Sequence, residues 1–141
     1  VKWDLGMSVE KMSVLDADAK PRVRILVVED EIFIRLTLSD RLREAEFDVV
    51  EAVNGDEALE ILKAGVPFDL VLSDVRMPGS TDGLALLRFI KNYMGDVPVI
   101  ITSGHLDNDT AFATGALNFL AKPFLTDEVV NIVKEEIKKI R

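Results

Sequence analysis

The sequence contains no cysteine, which excludes disulfides, thiol catalysis and cysteine-ligated metals. That absence suits a reducing cytosol, and a cytoplasmic location is the expectation. Basic residues are in deficit. Lys and Arg number 17 against 25 Asp and Glu, for a net charge of −8, and the pI is near 4.7. Nucleic-acid surfaces are usually basic and anionic membranes attract basic segments, so neither is an expected partner. No apolar run approaches the roughly 20 residues of a membrane span. The opening VKWDLGMSVEKM lacks the apolar centre of a secretory signal. It does not begin with methionine, as expected of a processed, tagged or excised chain. What is present is ample core material. With 141 residues, 48% hydrophobic and 30% charged, the chain fits one ordinary domain.

Residues 1–22 show no sustained periodicity and end near Pro21. They read as a flexible tail with a short helical piece around Val9–Leu15 and a peripheral Trp3. From Val23 a regular alternation begins, and residues 23–141 form the expected domain. VRILVVE (23–29) has strand length and β-branching. Ile34, Leu38, Leu42 and Ala45 recur at helical spacing through 31–45. FDVVEAV (47–53) is a strand. Asn54 caps a helix running to Gly65, with Glu57 at the capping-box position and Ala58, Leu59 and Leu62 on its apolar side. FDLVLSD (68–74) is a strand, Asp82 caps a helix over 83–94, and Gly95 ends it. VPVIITS (97–103) is followed by a short helix at 107–114. ALNFLAK (116–122) precedes a helix over 127–140, capped by Thr126. Strands without clean alternation are buried on both faces, as in parallel sheets. Five strand–helix repeats with short links predict an α/β, doubly wound, five-stranded parallel sheet.

In such sheets the ligand crevice lies beyond the carboxyl ends of the strands. The first strand ends in Glu29, Asp30 and Glu31, the third in Ser73 and Asp74, the fourth in Thr102 and Ser103, the fifth in Lys122 and Pro123. Carboxylates gathered in one crevice repel, and a hard divalent cation such as Mg2+ stabilises them. Glu29, Asp30 and Asp74 are the metal-ligand candidates. Lys122 brings a fixed cation and Thr102 a hydroxyl. A metal, a cation and a hydroxyl around one carboxylate are what an aspartyl nucleophile needs to accept a phosphoryl group. Taken singly, each residue has a blander role: a turn aspartate, acidic groups favouring a helix dipole, an exposed lysine. It is their joint placement at the ends of strands one, three, four and five that carries the chemistry.

VVEDE (27–31), SDVRMPG (73–79), Asp82-Gly83, ITS (101–103) and KPF (122–124) together resemble the receiver domain of two-component response regulators, over about residues 23–141. The resemblance implies a flavodoxin-like (βα)5 fold and a phosphorylation-dependent signalling switch rather than a turnover enzyme. Its phosphotransfer and dephosphorylation are self-catalysed. Asp74 matches the phosphoacceptor. Glu29 and Asp30 match the acidic pair that holds Mg2+, with Asp74 and the backbone carbonyl of Arg76 completing the protein ligands. Thr102 matches the switch hydroxyl, Lys122 the phosphoryl-contacting lysine, and Phe119 the aromatic switch. The Lys122–Pro123 bond is expected to be cis. The implied donor is a histidine kinase or histidine phosphotransfer protein. The implied output is a change in the face of the fourth helix, fifth strand and fifth helix that alters binding of a protein effector. A phosphorylation-linked homodimer is a further partner that the resemblance allows.

Three departures stand out. Glu29 occupies a position where many members have Asp. The Gly79-Ser80-Thr81 stretch is one residue longer than the commonest form of its loop. Phe119 lacks the hydroxyl of the frequent Tyr. Arg76 and Gly104 flank the implied path of the hydrolytic water. Ile32, Phe33 and Leu36 lie off the core stripe of the first helix and are a candidate docking patch for the phosphodonor. The remaining polar and aromatic features have ordinary readings. His105 is a solvated loop residue, Phe89 and Phe112 are core, and KEEIKKIR (134–141) is the solvated face of the last helix. The alternatives are a phosphorylation-independent interaction module and, less favoured, an aspartyl-nucleophile phosphatase. The phosphatase requires an acid/base carboxyl two residues after the nucleophile, where Arg76 stands. A nucleotide-binding reading lacks a Gly-rich phosphate loop after the first strand.

Overall fold

The computed structural model describes residues 22–104 and 115–140. Along the chain lie β1 (Arg24–Val28), α1 (Ile32–Glu44), β2 (Asp48–Ala52), α2 (Gly55–Lys63), β3 (Leu70–Asp74), α3 (Gly83–Tyr93), β4 (Val99–Ser103), β5 (Asn118–Ala121) and α4 (Thr126–Ile140). The strands form one parallel sheet in the order β2-β1-β3-β4-β5. The chain therefore winds outward from β1 in one direction and from β3 in the other. The crevice of such a sheet lies where the direction reverses, at the carboxyl ends of β1 and β3.

Residue alternation divides the core in two. Ile25, Val27, Leu70, Leu72 and Ile100 face α1 and α4, meeting Leu38, Leu42, Val129 and Val133. Leu26, Val28, Val71, Val99 and Ile101 face α2 and α3, meeting Ala58, Leu62, Leu86, Leu87 and Ile90. The central strands β3 and β4 are buried at every position. The edge strands β2 and β5 are mostly half-buried. Burial on both faces thus holds for the middle of the sheet and fails at its rims, where each strand has a single neighbour.

Local signals fix two of the four described helix starts. Asn54 accepts from the Glu57 amide at 2.8 Å and Asp82 from the Ala85 amide at 2.8 Å, so both act as N-caps. Glu57 reaches the Val53 amide at 3.2 Å, one residue before the expected capping-box partner. Helix α4 begins at Thr126 itself. Each strand is two or three residues shorter than the run read from the sequence, and β3 and β4 lose theirs at the amino end alone.

One expectation for the last helix needs correction. The run at 134–140 is not wholly solvated, since Glu136 is buried and paired with Lys139 at 3.1 Å, while Ile140 is exposed. Helix α1 buries Ser39 beside Leu38 and Leu42, and the Ser39 hydroxyl has no partner among the described residues. A small side chain lets α1 lie close to the sheet, at the cost of one unmet hydrogen bond. Phe89 packs half-buried against the core and tilts on Tyr93, ring centroids 5.0 Å apart. The expectations for residues 1–21, His105, Phe112 and a helix at 107–114 lie outside the described residues. No described helix is long and apolar enough to cross a membrane.

Candidate functional site

Parallel pairing aligns the strand ends. Val28 is opposite Ser73, Asp74 opposite Thr102, and Thr102 opposite Leu120. The residues just beyond β1 and β5, Glu29 and Lys122, therefore arrive beside Asp74. The Lys122 ammonium donates to Glu29 Oε1 at 2.8 Å and to Asp74 Oδ2 at 3.0 Å. The second Asp74 oxygen accepts from the Val75 amide at 2.8 Å. Glu29 Oε2 accepts from the Glu31 amide at 3.3 Å. Asp74, Thr102 and Glu29 are buried, and Asp30 is exposed at the mouth.

Glu29, Asp30 and Asp74 each offer a carboxylate oxygen within 4.8 Å of the others. Three convergent oxygens around so small a gap fit a hard divalent cation better than any soft metal. Glu31 is exposed and contributes its amide, not its carboxylate, to this cluster. Burial raises the Glu29 carboxyl from 4.5 to about 7; Lys122 partly offsets this, and the Asp74 charge adds to it. Burial alone would lower the Lys122 ammonium, but its hydrogen bonds to Glu29 and Asp74 outweigh that, and the net shift is upward.

A cavity of about 340 Å3 opens over the cluster, lined by Asp74, Arg76, Ser103, Gly104 and Lys122. It brings Arg76 and Gly104 to the same opening, as their spacing after Asp74 and Thr102 implied. The Lys122–Pro123 bond is cis. Phe119 sits on β5 opposite Ile101 and is half-buried against the α2/α3 side of the core. Ser73 is not part of the reactive surface, because its buried hydroxyl donates to the Asp74 carbonyl at 2.9 Å.

Ile32, Phe33 and Leu36 are exposed, Phe33 by 77%. Phe33 also borders a largely apolar cavity of about 410 Å3 with Ile34, Leu38, Pro123 and Phe124, and Lys122 lies at its edge. An exposed apolar surface thus adjoins the carboxylate cluster. Sequence reasoning missed Arg35, whose guanidinium donates to the Glu29 carbonyl at 2.9 Å and pairs with Glu51 at 3.3 Å. Arg35 holds the end of β1 in place. Nothing local in the sequence marks it, since its partners come from two different strand ends.

Residues 25–134 match the family described as response regulator receiver domain. The chain is 43% identical over 116 residues to the DNA-binding transcriptional regulator NtrC of Escherichia coli K12, an alignment covering 80% of this chain and 24% of that protein. It thus spans about a quarter of that relative's length. The receiver domain of NtrX from Brucella abortus superposes with a TM-score of 0.71 at 35% identity, covering 81% of this chain and 98% of that one. The Francisella response regulator 1452 receiver domain gives 0.78 at 27% identity, covering 85% and 100%.

Proposed function

Because the chain belongs to the response regulator receiver domain family, we propose that Asp74 accepts a phosphoryl group from a histidine kinase or histidine phosphotransfer protein in the cytoplasm. The observation that carries this reading is the Lys122 ammonium bridging Glu29 and Asp74 beside a third carboxylate, Asp30. An Asp74 oxygen attacks phosphorus, the donor's bond to phosphorus breaks, and the donor keeps the electron pair. Mg2+, held by Glu29, Asp30, Asp74 and the Arg76 carbonyl, would neutralise charge on the phosphoryl oxygens. Lys122 is already hydrogen-bonded to the nucleophile and needs only to shift onto an incoming oxygen. The product adds about −1.5 to −2 charges. Thr102, buried and in register with Asp74, is the β4 hydroxyl that would answer that charge. Phe119 lies on the next strand. Together they bias the face that carries β5 and α4, where an effector protein would bind.

The test is intact mass after incubation with acetyl phosphate and Mg2+, beside Asp74→Asn. A hydroxylamine-labile adduct on the native chain alone is expected. Failure to form it, with beryllofluoride also not binding, would favour the phosphorylation-independent interaction module.

The exposed apolar surface on α1 is our candidate dock for the donor. Replacing Phe33 and Leu36 by Ser is expected to slow transfer from a phosphorylated histidine phosphotransfer partner about tenfold or more. Acetyl phosphate should react at the native rate. Equal slowing with both donors would remove the patch from donor recognition.

Glu29 makes the site pH-sensitive. Its folded pKa, about 7, lies above the ordinary 4.5. Without metal, its contribution to stability is full below 4.5 and is lost as pH rises through 7. Cation binding needs the ionised form. Below pH 7 the half-saturating Mg2+ concentration should therefore rise by about tenfold per unit. Calorimetric titrations at pH 6, 7 and 8 measure this, and Glu29→Gln should flatten the dependence. A flat native profile would mean that Glu29 is already ionised without metal.

A further inference from the structure

The β3–α3 loop is fastened at two places. At its base the Gly83 amide donates to the Val75 carbonyl at 2.9 Å, closing residues 76–82 into a ring. At its tip the contact is made by Asp56, in the first turn of α2. The Asp56 carboxylate accepts from the Ser80 amide at 3.1 Å and from the Ser80 hydroxyl at 2.9 Å. The Thr81 hydroxyl is the largest influence holding this carboxyl below its usual range, followed by the Ser80 donors. The surfaces in contact have been cut back to fit. Gly79 has φ +106°, and a Cβ there would collide with the Asp56 carboxylate. A Cβ at Gly55 would collide with the Thr81 carbonyl. The tip that Asp56 holds is the Gly79-Ser80-Thr81 stretch, where this loop carries its extra residue.

We infer that Asp56 is a positioning residue for the metal: by pinning the loop tip to α2 it orders the Arg76 backbone carbonyl before the cation arrives. The inference rests on the reading of Asp74, Glu29 and Asp30 as a divalent-cation site. Its physical basis is preorganisation. A loop of this length has conformational entropy to lose when one of its carbonyls becomes a ligand. A loop already fixed at base and tip loses little, and affinity rises accordingly. Asp56 is on the helix after β2, whereas every implied ligand lies at or just beyond the carboxyl end of β1 or β3. Among the described residues no hydrogen bond or salt bridge joins Asp56 to the carboxylate cluster or to Lys122, so its effect reaches the site through the loop.

The experiment compares native protein with Asp56→Ala, Asp56→Asn and Ser80→Ala. In metal-free protein, amide hydrogen exchange at Ser80 reports the pin directly. Mg2+ titration followed by amide chemical shifts reports affinity without any reaction. The rate of adduct formation with acetyl phosphate, against Mg2+ concentration, separates half-saturation from limiting rate. For Asp56→Ala we expect faster exchange at Ser80 and a half-saturating Mg2+ concentration raised about five- to tenfold. The limiting rate should stay within about twofold of native, because Asp74 and Lys122 are untouched. Asp56→Asn keeps an acceptor oxygen and Ser80→Ala keeps the amide donor, so both should fall between native and Asp56→Ala. Faster Ser80 exchange with unchanged Mg2+ affinity would overturn the inference, as would unchanged exchange. If native protein binds Mg2+ but forms no adduct, the phosphoacceptor reading fails and the pin is still decided by the shift titration. If native protein binds no Mg2+, both fall.

Discussion

Replacing Lys122 by methionine is expected to slow adduct formation from acetyl phosphate by about two to three orders of magnitude. The ammonium lies 2.8 Å from Glu29 and 3.0 Å from Asp74, in a partly buried pocket where water screens poorly. No other Lys or Arg forms a salt bridge to these two carboxylates among the described residues. Charge growing on the transferring group would therefore lose the cation hydrogen-bonded to its nucleophile, and saturating Mg2+ could not replace it on the side where Lys122 stands. Stability should change far less than rate. Methionine fills similar volume, and Glu29, already raised to about 7, can hold a proton when its partner is removed. The variant should therefore gain more stability from Mg2+ than the native protein does, because metal then supplies the positive charge that Lys122 gave to Glu29 and Asp74. Single-turnover rates at saturating Mg2+, with thermal melts with and without metal, separate the two effects. A near-native limiting rate would remove Lys122 from the chemistry and leave it a purely structural cation.

Gly83→Ala is expected to destabilise the protein by about 2–3 kcal/mol and to impair the site together with the fold. Gly83 opens α3, and a Cβ there would strike the Asp74 carbonyl and lie 2.8 Å from the Val75 Cα. Both are backbone atoms at the end of a strand buried at every position, so no rotamer change relieves the contact. Either α3 tilts and draws its own Leu86, Leu87 and Ile90 out of the core, or the end of β3 moves. The second response would shift the Asp74 carboxylate, whose Oδ1 is held by the Val75 amide. Urea unfolding gives the stability change, and the Mg2+ dependence of adduct formation shows whether Asp74 has moved. An unaltered midpoint would mean that α3 can slide without loss of packing.

Much of the architecture is legible in the sequence because it rests on local physics. Apolar runs such as ILVV and LVL name buried strands, and Asn54 and Asp82 name helix starts through bonds that close within three residues. The residues after each run can be read off as candidates for a shared crevice once the parallel sheet is recognised. The errors follow the same logic. Burial at β2 and β5 was overestimated because an edge cannot be told from a centre in a five-residue apolar run. Glu136 and Ser39 were misplaced or overlooked because helix periodicity predicts a face, not what the face meets.

Local pattern is enough to specify a parallel α/β domain and to put Glu29, Asp30, Asp74, Thr102 and Lys122 at strand ends. Those properties come from periodicity and from the order of elements. Only the tertiary structure decided that Lys122 bridges Glu29 and Asp74, that Arg35 fastens the end of β1, and that Asp56 holds the tip of the loop beyond β3. Each of those contacts joins groups that lie far apart along the chain or on different elements. Their distances depend on strand order, register and helix placement, which no local stretch of sequence contains.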